Sequence, residues 1–492
     1  MGRVLTNNEA LSYVIETALG VPGTTGWKTV QPNTIGEFGA EIGKVARNPI
    51  DKDRQRKKGA TVDLDSTVNY EADLTYDLTN DFLDGFMFSA WKGLNAGAFF
   101  RPTAVTATGY TVASGGALTD RTLFVARGFT NAVNNGLKMS LSSTGTEIKP
   151  SGAIAEAAIP DSQNATVEIA GFRGATGDIQ INASGHIIST VANFTTMGLT
   201  VGQVIWVGGD ASLNKFAIAG NRGFVRIRTI AATVLTIDKR GQAFATDAGA
   251  GKEIDLFFGR FIRNVAVDHA DFLERSYSFE LAHKNLQVPG PGDEYHYARG
   301  NYANEFSFTL PLTDKATSGV GFIGTDTPNP TTVRDTGASA PRTPQGTVLY
   351  NTSADIMRLR LQETDETVIT SDFKSATATL ANNVSPEKVL GLLGARYMNI
   401  GNFEVNIDIS SLLVDSRVIS AIRANRTLSM DFSVRNEDGT LLMDIPSLML
   451  EGGSLNFPEN ESVLIDTVAM AFQDVSLGYT CSFSQFPYTP AS

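Results

Sequence analysis

The chain has 492 residues, 42% hydrophobic and 19% charged, which excludes a disordered chain and, at roughly 100–200 residues per domain, a single ordinary domain. A formal net charge of −12 excludes a protein that grips nucleic acid through a broad basic face, and a lone cysteine, Cys481, excludes an internal disulfide framework. No window approaches the roughly eighteen apolar residues of a membrane span and no apolar run suits a signal peptide, so residence without secretion is the simplest expectation.

In chain order, the first feature is the run DKDRQRKKG at Asp51–Gly59, which gathers Lys52, Arg54, Arg56, Lys57 and Lys58. With no interleaved aromatics it reads as an ion-pairing arm for an acidic neighbour. From Val62 the chain alternates at period two. Val62, Leu64, Val68, Tyr70, Ala72 and Leu74 fall on one face and Asp63, Asp65, Glu71 and Asp73 on the other, the pattern of a half-exposed strand with an acidic outer face. A helix is predicted to follow over Asp81–Trp91, with Asp81 capping its first N–H groups.

Two small β modules are expected next, at about 105–175 and 176–255, as a paired insertion. FTNAVNNGLKM (Phe129–Met139) and FAIAGNRGFVRI (Phe216–Ile227) share Phe, Ala, Asn and Gly at the same relative positions. Asn-x-Gly ahead of an alternating run predicts a hairpin turn in each. Each module is short for independent stability, which implies packing on its twin or on the host domain. GAGKE (Gly249–Glu253) lacks the Ser/Thr and the first glycine of a phosphate-cradling loop and reads as a domain hinge.

Alternating strands are predicted at Ser276–Leu281, Glu305–Leu312, Asn402–Ile409 and Thr427–Val434, with a second helix over Asp415–Asn425 capped by Asp415. The Pro/Thr-rich arm Asp326–Gly346 is long enough to imply a partner or mobility and reads as a functional loop. NFEVNIDISSLLVDSRVISAI (Asn402–Ile422) nearly repeats VNYEADLTYDLTNDFLDGFMF (Val68–Phe88), offset by 402 − 69 = 333 residues. Two related β domains on one chain follow from that, with Glu404 and Asp408 the acids of the second copy. The divisions are 1–104 for the first part of one repeat, 105–175 and 176–255 for the modules, 256–325 completing or linking the repeats, 326–347 for the arm, and 348–492 for the second repeat.

Catalytic readings are weak. His186, His269, His283 and His296 are scattered without metal-ligand spacing, no G-x-S-x-G occurs, and three tryptophans are few for the sugar platforms a glycosidase pair at Glu71 or Asp73 would need. No enzyme activity, cofactor or metal is expected.

Taken in order, GWKTVQPN, RNPIDKDRQRKKGATVDLDSTVNYEADLT, GFTNAVNNGLK, NRGFVRIRTIAATVLTIDK, RGNYANEFSFTLPLTDKATSGVGFIGTDT, LANNVSPEKVLGLLGA and GNFEV resemble the tail tube (major tail) proteins of long-tailed, non-contractile bacteriophages in their large two-repeat form. The resemblance spans about Gly26 to Pro487 and lies in the order of the motifs. It implies an all-β fold with a few short helices, made of two tail-tube-type β-sandwich or barrel repeats plus the two inserted modules. It further implies stacked rings that form the conduit for genome ejection, in the virion tail, after assembly in the host bacterial cytoplasm. Implied partners are further copies of the chain (a trimer acting as a pseudo-hexamer, then stacked rings), the tape measure protein and phage DNA in the lumen, and the tail tip and tail terminator proteins, with no membrane. On this reading Asp63, Asp65, Glu71, Asp73, Glu404 and Asp408 line the lumen, and Lys52, Arg54, Arg56, Lys57 and Lys58 form an inter-ring or inter-subunit loop. The alternative is a multidomain β adhesin or tail fibre that binds host surface glycans, which would form slender trimers in place of rings.

Overall fold

The computed structural model describes residues 9–50, 52, 55–94, 99–160, 164–238, 244–284, 293–339, 341–343, 348–363, 367–370 and 372–490, with the backbone alone at 78–81. It is an all-β fold of antiparallel strands with two α-helices among the described residues, Leu78–Met87 and Arg417–Arg423. The chain forms two compact units, Met1–Ser89 with Ala270–Leu349 and Ala376–Ile407, and Ala90–His269 with Tyr350–Ser375 and Asp408–Ser492.

In the first unit a long hairpin, Pro32–Arg47 paired with Lys57–Asp73, continues a sheet through Thr317–Gly324, Glu294–Leu310 and the Ala376–Ala381 end of the next strand. Alternation decides which side is core. Val68, Tyr70 and Ala72 turn inward with Phe306, Phe308, Val320 and Phe322, all buried. The helix covers that face, Phe82 lying 4.6 Å from Tyr13 and 5.4 Å from Phe322, and Phe86 stacking at 4.9 Å on Phe306. Gly85 permits the close approach, because a Cβ there would stand 2.5 Å from the Tyr277 hydroxyl. The helix begins at Leu78, three residues before the expected Asp81, and stops at Met87, not Trp91, where Phe88 turns left-handed (φ 46°) and donates its N–H to Asp84. Asp77 occupies the N-cap position without a side-chain capping bond, and the left-handed Phe88 ends the helix.

The Pro/Thr-rich arm, described over 326–339 and 341–343, is tied to its own unit. Arg334 grips the fully buried Glu280 from Nε at 2.8 Å, and Tyr297 donates to the same carboxylate at 2.7 Å. The Asp335 N–H returns to the Tyr297 hydroxyl at 2.8 Å, Arg299 pairs with Asp335 at 3.0 Å, and Ala338 is buried against Trp27. A buried carboxylate needs such partners, and the arm supplies one of them.

The insertion lies in the second unit, where one continuous sheet runs through both modules and a small three-stranded sheet of Ala104–Val105, Tyr110–Thr111 and Glu147–Ile148 stands apart in the first. Thr122–Arg127 pairs with Gly136–Met139 and Thr166–Arg173, and Val204–Val207 pairs likewise with Gly223–Ile230 and Asp255–Phe257. The two triplets join through Thr166–Arg173 and Asp255–Phe257, where Gly171 faces Phe257 and any Cβ would lie 2.1 Å from the Leu256 carbonyl. Each half keeps its own apolar core.

The duplicated motif proves to be more than a turn. Asn134 and Asn221 are fully buried, each in a short 3-10 turn. Asn134 donates to the Ile154 carbonyl at 2.8 Å and accepts the Ile154 N–H at 2.9 Å, and Asn221 does the same with Ala245 at 2.8 and 2.8 Å. The amide imitates a strand peptide and closes the ladder that Gly136 (φ 92°) and Gly223 (φ 115°) then resume. The hairpins exist, but the Asn is a buried clip and not their tight turn. Gly249–Glu253 is likewise no hinge, because Lys252 closes a turn on Gly249, Gly177 bonds Lys252, and Arg121 holds Glu253 at 2.8 Å.

The insertion is anchored to the rest of its unit. Val204 and Phe224 share a buried cluster with Leu442 and Phe486, and Tyr479 donates to the Gly202 carbonyl at 3.1 Å. The second unit also carries the meander Leu428–Arg435, Thr440–Asn456 and Leu464–Ala471, of 8, 17 and 8 residues, after its helix. The first unit has Tyr277–His283, Glu294–Leu310 and Thr317–Gly324, of 7, 17 and 8 residues, in the same order of pairing. The insertion enters the chain directly after the first unit's helix and before its meander.

Candidate assembly surfaces

The outer face of the first unit's sheet is polar and low in relief. Register places Ser307, Gly319 and Glu71 in one row, Glu305, Gly321 and Asn69 in the next, and Thr309, Thr317 and Asp73 in a third. The glycines leave a shallow trough lined by Thr34, Glu71, Glu305 and Ser307. Glu37 joins this face and accepts from Thr67 at 3.2 Å and from Asn69 at 3.3 Å. Glu37 and Glu305 are not among the acids the alternation singles out, although Glu305 heads the alternating half of the strand Glu294–Leu310 and its parity assigns it to this side.

The six nominated acids do not share one environment. Glu71 and Glu404 are exposed in the first unit, and Asp408 is exposed in the second. The strand Glu404–Leu412 alternates as expected, with Val405, Ile407 and Ile409 buried. Asp63 and Asp65 are both bound by Lys388, whose Nζ reaches Asp65 at 2.6 Å. The ammonium bonded to Asp63 holds that carboxyl below its usual range, and the two carboxylates raise Lys388. Asp73 is paired with Lys315 at 2.6 Å and bonded by Asn33 at 2.6 Å. The acidic stripe is therefore partly neutralised within its own chain, through cations that lie far away in sequence.

Beyond the sheet the long hairpin projects with both faces exposed. Val62, expected on the core face, is 52% exposed, and Ile42, Val45 and Ile50 are exposed nearby. Register shifts interrupt the pairing between Gly43 and Lys44 and between Val45 and Arg47. Of the nominated cations, Lys57 and Lys58 begin the strand Lys57–Asp73, with Lys57 opposite Arg47, and Lys52 and Arg56 are exposed beside them. Arg54 lies outside the described residues.

Nothing in the described residues gathers three or more metal-ligating side chains, and Cys481 is buried. His283 and His296 meet edge to face at 4.7 Å, with Glu9 3.2 Å from His283 and Glu294 3.5 Å from His296, at the ends of three paired strands. Among the described residues no helix is long and apolar enough to cross a membrane.

The chain thus carries duplicated meanders, a sheet with one apolar and one polar, acid-bearing face, and a long hairpin that extends past its sheet. A family model described as phage tail tube protein matches the chain twice, over residues 6–223 and 227–478. The chain belongs to the phage tail tube protein family, and with it to the structural proteins of the phage tail. No protein with a curated description matches it closely enough to count as a relative.

Proposed function

We propose that the chain polymerises as stacked rings into the tail tube of a long-tailed phage and forms the conduit through which the genome is ejected, with no substrate turned over and no cofactor. The observation that carries this reading is the duplication, a helix followed by a meander of 7, 17 and 8 residues and again one of 8, 17 and 8 residues, in a chain matched twice by one family model. Three chains then supply six units and close a pseudo-sixfold ring. Joining sheets around the ring removes exposed strand edges, which would otherwise template aggregation.

The lumen takes the acidic faces that carry Glu71, Glu404 and Asp408, with Asp63, Asp65 and Asp73 beside them. DNA carries one charge per roughly 1.7 Å of duplex, so a basic lining would hold it at many points, whereas carboxylates keep a hydrated gap over about 8 Å. The tape measure protein and then DNA occupy that lumen, the tail tip and terminator proteins close its ends, and assembly takes place in the bacterial cytoplasm. The inserted modules at about 105–175 and 176–255 decorate the outside. Lys52, Arg54, Arg56, Lys57 and Lys58 contact a neighbouring chain.

Negative-stain averages of the purified chain test this reading. Hollow tubes or rings with three chains per turn are expected. Slender fibres or a lasting monomer would overturn polymerisation, and six chains per ring would overturn the stoichiometry.

A further inference from the structure

The chain carries a second projecting hairpin whose chemistry is opposite to the first. Thr440–Asn456 is buried over its first nine residues, half-buried at Met449, buried again at Leu450 and exposed from Glu451, where Gly452 and Gly453 (φ 79° and 97°) shift the register with Leu464–Ala471. At and beyond that bend Glu451, Glu459 and Glu461 are exposed together with Leu455 and Phe457, the latter at 70%. Arg435 is the last Lys or Arg of the chain, so nothing local on this hairpin balances those carboxylates. The first hairpin carries exposed Lys44, Arg47, Lys52, Arg56 and Lys58 around exposed Ile42, Val45 and Ile50.

We infer that the cationic tip of the Pro32–Arg47/Lys57–Asp73 hairpin docks on the acidic tip of the Thr440–Asn456/Leu464–Ala471 hairpin of a second copy of this chain. Each tip is a two-stranded ribbon beyond its sheet, an arrangement that is only marginally stable until something covers it. Each offers aliphatic or aromatic side chains beside an excess of one charge sign, cations outnumbering acids over 44–58 and acids alone beyond Glu451 on the other, so docking buries apolar surface while opposite charges steer and register the approach. The occupant is another copy because one chain carries both halves of the match. A contact between two different patches of identical chains is heterologous, so it adds further copies head to tail and does not end at a twofold dimer. This inference rests on the tube reading and names the acceptor of its stacking contact.

Two charge-reversed variants and their combination test it, with polymer measured by sedimentation and negative stain. Glu459→Lys with Glu461→Lys, and separately Arg56→Glu with Lys58→Glu, are each expected to lower polymer yield roughly tenfold while the melting curve of the monomer stays unchanged. Mixing the two variants, or placing all four substitutions in one chain, restores tubes. Normal polymer from either pair, or no recovery in the fourfold chain, overturns the pairing. Should the unaltered chain form no tube at all, the tube reading fails and crosslinking still decides the contact. A chain with Arg56→Cys mixed with one carrying Glu459→Cys gives a disulfide-linked dimer if the tips meet, since Cys481 is buried and does not compete. No crosslink, or one formed within a single doubly substituted chain, sinks the inference.

Discussion

Arg226 and Asp444 lie 218 residues apart and meet in a 3.1 Å ion pair, with Asp444 fully buried and Arg226 nearly so. Arg226 also reaches Asp238 at 2.9 Å, so one guanidinium ties the insertion's strand Gly223–Ile230 both to its neighbour and to the meander. A buried pair broken from one side leaves a charge without compensation. Asp444→Ala is expected to lower stability by about 3–5 kcal/mol, and Arg226→Met with Asp444→Leu to recover most of it. Urea melts of the parent and the two variants check this. Excising 105–250 alone uncovers Leu442 and Phe486 and is expected to give aggregated chain, which light scattering would detect.

Asn134 and Asn221 serve one purpose in the two modules, each satisfying a peptide N–H and C=O that no strand reaches. Replacing either by Ala strands both groups in the interior, at a cost of roughly 1–3 kcal/mol or more. Asn→Asp keeps the acceptor, loses the donor and is expected to fall between. Hydrogen exchange at the Ile154 and Ala245 amides localises the effect, and equal protection in parent and variant would refute it.

The Lys388 pair has a defined pH signature. Asp63 is held below the ordinary carboxyl range by the Lys388 ammonium, so the pair's contribution is present above the unfolded carboxyl value, near 3.9, and is lost as pH falls through the lower folded value. Carboxyl NMR titration is expected to show Asp63 protonating late on acidification. In Lys388→Ala it should return toward the ordinary value with little change in melting at neutral pH, because exposed pairs contribute little.

Glu71 and Glu404 are exposed at matching positions of the repeated motif. If they face the lumen, Glu71→Lys with Glu404→Lys leaves tube assembly intact and slows or stalls genome ejection in phage that carry the change. A conductance or DNA-release assay on such particles provides the measurement. Loss of assembly before any ejection defect would move both residues to a subunit interface.

Much of the fold is legible in the sequence because side-chain alternation is a local property. Any strand with Val405, Ile407 and Ile409 on one side and Glu404, Asn406 and Asp408 on the other has only one face it can bury, and that face is the buried one. The duplications were visible for the same reason, since both copies of each motif answer the same local demands. The letters Asn-x-Gly suit a hairpin turn and a buried clip alike, and only the approach of Ile154 or Ala245 decides between them. Lys388 with Asp63, Arg334 with Glu280 and Arg226 with Asp444 join residues separated by 325, 54 and 218 positions. Composition and periodicity contain no record of such partners. Sheet register and the packing of one layer on another bring them together, so the acidic stripe could be read from the chain while its neutralisation, the strapped arm and the anchored insertion were decided by the tertiary structure.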